Sequence, residues 1–337
     1  MKTIILETPG KLSLIHKEFN PSLSPRSVLL KVRRVAICGT DLHAYKGNQP
    51  FFTYPRILGH EIAGEIIEVG SAIKHLKVGD CCAVEPYRNL TEDQAVKRGK
   101  TNCGKDLRVL GVHEDGAMQE YIIYDADLIH PVNDLDLDHL ALIEPLAIGR
   151  HAIMRADITI DDTVLIVGVG PIGYGILMQC ALYKQKVAVV DTNPEKLDFV
   201  RKNFPEITTI TLSETILEDL ESVFDGELPT IVLDATGSKE SMQNTFNYAA
   251  AGGTIVFVGL FIGSITFDDP NFHKKELTLK ASRNATKEDF HSVINLMRNR
   301  KLNLQGYITQ RIKFLELPTM FEKLYRADLM KAIIDFD

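Results

Sequence analysis

Apolar and polar positions follow two different rhythms along the chain, and the change falls near Ala156. Before it, β-branched runs such as SVLLKVRRVAIC (27–38), EIAGEIIEVG (61–70) and MQEYIIYDADLIH (118–130) are cut by glycine, proline and aspartate. Such runs and breaks predict strands joined by turns. LDHLALIEPLAIGRHAIMRA (137–156) then spaces its apolar residues as a helix does. From Thr163 on, short apolar runs alternate with longer amphipathic segments: TVLIVGVG (163–170), VAVVDT (187–192), IVLDATG (231–237) and TIVFVGLF (254–261). That alternation predicts a parallel sheet covered on both faces. GGTIVFVGLF (252–261) and the strand SITF (264–267) after it are expected to form a sheet edge that pairs across a dimer, and KEDFHSVINLMRNRKL (287–302) reads as a helix. The remaining tail is too short to bury a core of its own and is expected to rejoin the first domain.

The run VLIVGVGPIG carries Gly168, Gly170 and Gly173 as G-x-G-x-x-G between a predicted strand and a predicted helix. The next strand ends in Asp191, 18 positions past Gly173. In this setting the first glycine makes the turn, the second lets backbone approach a pyrophosphate, and the third lets helix and strand pack closely. Pro171 and Ile172 open the helix, whose free N–H groups and dipole favour phosphate. Asp191 would accept hydrogen bonds from the adenosine ribose and repel a 2′-phosphate, so NAD is expected rather than NADP. The longer run TVLIVGVGPIGYGILMQCALY is as long as a membrane span, but its glycines, its proline and its bunched β-branched residues favour strand, turn and buried helix.

Composition narrows the function. Hydrophobic residues make up 45% and charged residues 25%, the proportions of a soluble globular chain. A net charge of −7 argues against nucleic-acid binding, which needs a positive surface. The start, MKTIILETPGK, has too short an apolar run for a secretory signal. Five cysteines, an odd number without a pairing framework, point to free thiols in a reducing cytoplasm.

One of those thiols stands in unusual company. CGTDLH (38–43) is followed 22 residues after Cys38 by His60 and then Glu61, and Glu144 lies further on, just before Pro145. Each residue alone reads as packing or capping. Together, a thiolate, an imidazole and a carboxylate suit zinc held by three protein ligands with a fourth position open for catalysis. Zinc in such a place polarises an alcohol oxygen. Either glutamate could complete the set.

The segments CGTDLH, GHEIAGEIIEVG, VGD, IEPLAIG, GVGPIG and DATG, in this order over nearly the whole chain, resemble the zinc-dependent medium-chain dehydrogenases. This is the family of alcohol, polyol and threonine dehydrogenases. The resemblance implies an α/β fold: a GroES-like β-rich catalytic domain (1–149 and 281–337) plus a Rossmann, doubly wound parallel-sheet domain (150–280), with the active site in the cleft where they meet. It implies one catalytic Zn²⁺ and NAD as cofactors, and a homodimer or homotetramer. Cys38 and His60 match the two constant zinc ligands. Glu144 stands where a third ligand is cysteine or, in polyol-type members, glutamate. Glu61 matches a neighbouring carboxylate that ligates directly or sits behind the ligands. Thr40 matches the hydroxyl that contacts the substrate alcohol, His43 the outer end of a proton relay, and Asp41 an acid that orients a ligand histidine.

Many members bind a second, structural zinc through four cysteines. Aligned without a gap, EPYRNLTEDQAVKRGKTNCGKDLRVLGVH (85–113) offers Leu90, Asp93, Val96 and Gly104 there. No structural zinc is expected, and packing of Leu90 and Val96 is expected to hold the lobe instead. Within the family, GNQPFFTYPRILGHE, EPY, GVHEDGAMQEY and VFVGLFIGSITFDDPNFHKKELTLKASRNAT look most like the L-galactonate 5-dehydrogenases, which oxidise a secondary alcohol of a sugar acid to a keto acid. Lys274, Lys275, Arg283 and Asn284 offer basic or amide groups for a carboxylate, and Asn48 and Gln49 could bind hydroxyls. Phe51 and Phe52 are candidates to line a cleft or simply to pack. Alternatives are a neutral polyol such as sorbitol or galactitol, or L-threonine. Relatives of another kind, a zinc-less quinone reductase or a non-catalytic nucleotide-binding protein, are disfavoured by Cys38, His60 and Asp191.

Overall fold

A computed structural model describes residues 1–50, 52–326 and 330–337, so Phe51 lies outside the described residues. The chain forms two compact units. The first comprises Met1–Glu144, Thr286–Asn299 and Gly306–Asp337; the second comprises Pro145–Ala285 and Arg300–Gln305.

The first unit is built on a seven-stranded sheet whose centre is the pair Ser27–Ala36 and Glu61–Val69. These two runs were legible as strands. The third, 118–130, divides into Tyr121–Asp125 and Ile129–Pro131 around a short 3₁₀ turn. The tail contributes the strands Ile308–Lys313 and Lys331–Asp335, the latter antiparallel to Ser27–Ala36. Ile4, Leu30, Ile62, Ile66, Phe321 and Ile334 are among its fully buried side chains. Each such burial stabilises by roughly 1.5–3 kcal/mol before entropy is counted. Register matters most at one end of the sheet. Ala36 pairs with Glu61 on one side and with Ile333 on the other. Three strands therefore bring Cys38, His60 with Glu61, and Lys331 to the same edge from distant parts of the sequence.

The lobe expectation needs correcting. Leu90 is 52% exposed, whereas Val96 is half-buried against Gly104. Hydrogen bonds do much of the work, with Asp93 at their hub. Asp93 caps the short helix Gln94–Lys97, its Oδ1 accepting from Val96 N at 2.9 Å and its Oδ2 from Lys105 N at 2.5 Å. The donation of those backbone N–H groups holds its carboxyl below the usual aspartate range. Asn89 Nδ2 donates to the Thr101 carbonyl, and Thr91 Oγ1 to Asp106. At Gly104 an added Cβ would meet Asn89 Oδ1 at 1.8 Å, so a side chain there would displace the Asn89 amide. In Asp93→Ala, the amides of Val96 and Lys105 are expected to exchange hydrogen at least about tenfold faster. Unchanged exchange would show that Asp93 is not the hub.

The second unit carries a six-stranded, fully parallel sheet. Across it the strands run Thr208–Thr211, Lys186–Asp191, Thr163–Val167, Ile231–Asp234, Thr254–Phe257 and Thr278–Ala281. The chain starts in the middle and winds first to one side, then to the other. The reversal falls beside Thr163–Val167, the place where open α/β sheets bind ligands. Within one chain, residues 264–267 have no ladder partner. Gln243 Nε2 donates to both the carbonyl and the hydroxyl of Thr266, and Phe267 stacks on Phe246. Within the chain the sheet ends at Thr278–Ala281. The membrane-length apolar run resolves into the strand Thr163–Val167 and the helix Pro171–Cys180. Among the described residues no helix is long and apolar enough to cross a membrane.

Candidate metal and nucleotide sites

Cys38 sits two residues past the end of its strand, at the N-cap of the helix Gly39–Tyr45. His60 immediately precedes the strand Glu61–Val69, and Glu61 begins it. Their ligand atoms, one from each residue, all lie within 4.8 Å of one another. His60 and Glu61 are buried and Cys38 is half-buried. Asp41, in the first turn of the helix, is buried beside them. It accepts from Cys38 N at 3.0 Å and from Gly59 N at 3.2 Å, pinning both ligand-bearing loops. Its Oδ1 lies 3.8 Å from His60 Nδ1. Burial raises the Asp41 pKa. Burial works against a charged His60, but Asp41 and Cys38 outweigh it and hold that pKa well above the ordinary histidine range.

Glu144 lies next to this group, in the helix Leu137–Ala156 one residue before Pro145. Its Oε1 accepts from the Tyr87 hydroxyl, and burial pushes its carboxyl up to about 7. Glu61 is bound instead by Lys331, whose Nζ donates to Oε1 at 2.5 Å. Burial disfavours that ammonium, but the charges of Glu61 and Cys38 raise its pKa above the usual lysine value.

These residues fit a zinc ion. His60 Nδ1, Glu61 Oε2 and Glu144 Oε2 are buried atoms without a hydrogen-bond partner. Unpartnered polar atoms and grouped acids are costly inside a protein. A divalent cation that accepts sulfur, nitrogen and oxygen donors removes both costs. Thr40 and His43 lie one turn apart on the helix after Cys38, with Thr40 half-buried and His43 exposed. Asn48 is exposed just beyond that helix, while Phe52 packs edge-on against Tyr54.

In the second unit the glycine turn has the form expected of it. Gly168 has φ +85°, a region that favours glycine, and its absent Cβ would meet Thr236 Cγ2 at 2.7 Å. At Gly173 an added Cβ would meet the Gly168 carbonyl oxygen at 1.8 Å. At Gly170, the N-cap of the helix, an added Cβ meets nothing within 4 Å. That is the open approach a pyrophosphate needs, next to Pro171 and Ile172. Asp191 ends its strand with Oδ2 accepting from Val169 N and Oδ1 from Asn193 N, each at 2.8 Å. A carboxylate has further lone pairs for a ribose.

Sequence reasoning missed several residues. Asp234, fully buried, accepts from Thr236 N, Thr236 Oγ1 and Ser241 Oγ, and so shapes the loop facing Gly168. DATG had marked it only as part of a family pattern. Tyr87 and Lys331 were missed because their partners are far away in sequence. Of the basic candidates, Lys275 donates to the carbonyls of Asn247 and Ala249 and has a structural task. Lys274 and Arg283 are exposed, and Asn284 has φ 52°. All four belong to the second unit, whereas Asn48 belongs to the first.

Two family models match the chain: the alcohol dehydrogenase GroES-like domain over residues 24–134, and the zinc-binding dehydrogenase over residues 171–299. L-galactonate-5-dehydrogenase of Escherichia coli K12 is 41% identical over 338 residues, covering 100% of this chain and 99% of that protein. The chain belongs to the zinc-binding alcohol dehydrogenases. Sorbitol dehydrogenase of Rattus norvegicus, another relative, is 28% identical over 99% of this chain and 96% of its own. Among solved structures, a short chain alcohol dehydrogenase from E. coli CFT073 in complex with NADH superposes with a TM-score of 0.91 at 29% identity, over 100% of this chain and 99% of that one. The protein is thus an oxidoreductase of the zinc- and NAD-dependent medium-chain type, with a GroES-like and a Rossmann-type domain.

Proposed function

We propose that this zinc-binding dehydrogenase oxidises a secondary alcohol of a sugar acid, with L-galactonate the leading candidate and NAD the hydride acceptor. The observation that carries this is 41% identity to L-galactonate-5-dehydrogenase along the full length. Cys38, His60 and a carboxylate from Glu61 or Glu144 would hold the zinc. Bound zinc would stabilise negative charge on the alcohol oxygen while NAD takes the hydride. Thr40 Oγ1 bonds the substrate hydroxyl and passes its proton outward to the exposed His43 imidazole. Asp41 orients the His60 ring. Gly168, Gly170 and Gly173, with Pro171 and Ile172, cradle the pyrophosphate, and Asp191 takes the ribose. Arg283 is assigned to the substrate carboxylate, with Lys274, Asn284 and Asn48 as further polar contacts.

NAD reduction by the zinc-loaded protein, with L-galactonate, L-gulonate, L-idonate, sorbitol, galactitol and L-threonine, tests the reading. L-Galactonate should exceed each neutral polyol by at least about tenfold in kcat/KM, since a site built to bind a carboxylate rejects analogues that lack it. Turnover of polyols alone would overturn the sugar-acid assignment. It would favour a second reading, a neutral polyol dehydrogenase, which the sorbitol dehydrogenase relative supports. By the same likeness the protein is read as a homodimer or homotetramer; a monomer in sedimentation velocity would contradict that.

A further inference from the structure

The second unit has a cavity of about 160 Å³ at the end of its sheet away from Gly168. It lies between the last turns of the helices Leu137–Ala156 and Pro171–Cys180 and the first residues of the strands Thr163–Val167 and Lys186–Asp191. Its lining residues all belong to this unit, and none is in the glycine turn or the metal cluster. Ile153, Ile158, Val164, Cys180 and Val187 give it apolar walls. Burial pushes the Cys180 thiol up to about 12, so it carries no charge at neutral pH. Protein interiors seldom hold a void larger than a water molecule, and an apolar one of roughly 150 Å³ stays dry and takes up benzene.

The polar groups of the lining are few, and they select against charge. Arg150 is half-buried, and its Nη1 donates at 2.9 Å to the hydroxyl of Tyr183, a neutral partner. A ligand ammonium would meet this guanidinium. Asp157 is already paired with Lys280 Nζ at 2.6 Å, and two helices end here with the negative ends of their dipoles. A ligand carboxylate would meet those. A neutral ring can instead lie against the guanidinium. Gln185 adds direction. Its Nε2 donates to the carbonyl of Thr159, while its Oε1 is buried without a hydrogen-bond partner. An unmet acceptor is costly to bury, and one donor satisfies it. We propose that this cavity binds a small, flat, uncharged aromatic molecule with a single N–H or O–H donor, its ring held by the apolar walls and Arg150 and its donor on Gln185 Oε1. The site is separate from alcohol oxidation and does not depend on which alcohol is oxidised.

Indole is the probe. The chain contains no tryptophan, so indole emission, excited where tyrosine hardly absorbs, is read without background. Adding protein should shift that emission to shorter wavelength, with a Kd below about 1 mM. 3-Methylindole, a neutral control, should bind within about threefold of indole, whereas 1-methylindole, which lacks the donor, should bind at least about tenfold more weakly. Indole-3-carboxylate and tryptamine, which add a negative and a positive charge, should also lose at least about tenfold. In Gln185→Leu, indole should weaken by about tenfold while 1-methylindole changes by less than about twofold, since only indole uses the amide oxygen. Saturating NAD and Cys38→Ser should each leave indole binding unchanged. A Kd above about 1 mM would overturn the proposal. So would equal binding of indole and 1-methylindole, wild-type indole affinity in Gln185→Leu, or displacement by NAD. If Gln185→Leu does not fold, the ligand series on the wild type, with and without NAD, still decides.

Discussion

Cys38→Ser is expected to lower bound zinc to less than about a tenth of the wild-type content and NAD-linked activity by about 10³-fold or more. The thiolate is the softest donor in the cluster, and a serine hydroxyl is a poor substitute at neutral pH. The fold should survive. Cys38 occupies the N-cap of the helix Gly39–Tyr45, a position that serine fills well, and Asp41 accepts from the backbone N–H of residue 38 rather than from its side chain. Loss of zinc and turnover with an unchanged circular dichroism spectrum would assign Cys38 to the metal. Full zinc content in Cys38→Ser would remove it from the ligand set.

Gly173→Ala is expected to weaken NAD binding by at least about 100-fold, because the third glycine permits the close approach of helix and strand. The added methyl would lie 1.8 Å from the Gly168 carbonyl oxygen, and backbone cannot yield that far without reshaping the turn. Gly170→Ala offers a contrast. Its methyl meets no protein atom within 4 Å, so the polypeptide should fold as before while NAD binding falls. Calorimetric titration of NAD into both variants tests this pair. Wild-type affinity in Gly173→Ala would mean that the turn does not hold the cofactor. Zinc content should be unaffected by either change, since Cys38, His60 and Glu61 lie in the other unit.

What the sequence made legible was local. The strand, glycine turn, helix and acid of residues 163–191 follow one another closely, and each carries its own signal in spacing or residue type. The helix 137–156 was equally plain from its apolar period, and the structure places a helix over Leu137–Ala156. Non-local pairings were not legible. Lys331 binds Glu61 across 270 positions, and Tyr87 binds Glu144 across 57. No local pattern marks such partners, although a lysine in the otherwise apolar run MKAII could have raised the question. At the lobe, apolar character misleads for Leu90 but not for the half-buried Val96, and Asp93 has the geometry to satisfy backbone donors.

X-ray absorption at the zinc edge, on the zinc-loaded protein, tests the central claim most directly. The account predicts about one zinc per chain, with a single sulfur neighbour near 2.3 Å and nitrogen or oxygen in the remaining places. Two or more sulfur neighbours, or no stoichiometric zinc, would contradict the site built on Cys38 and His60.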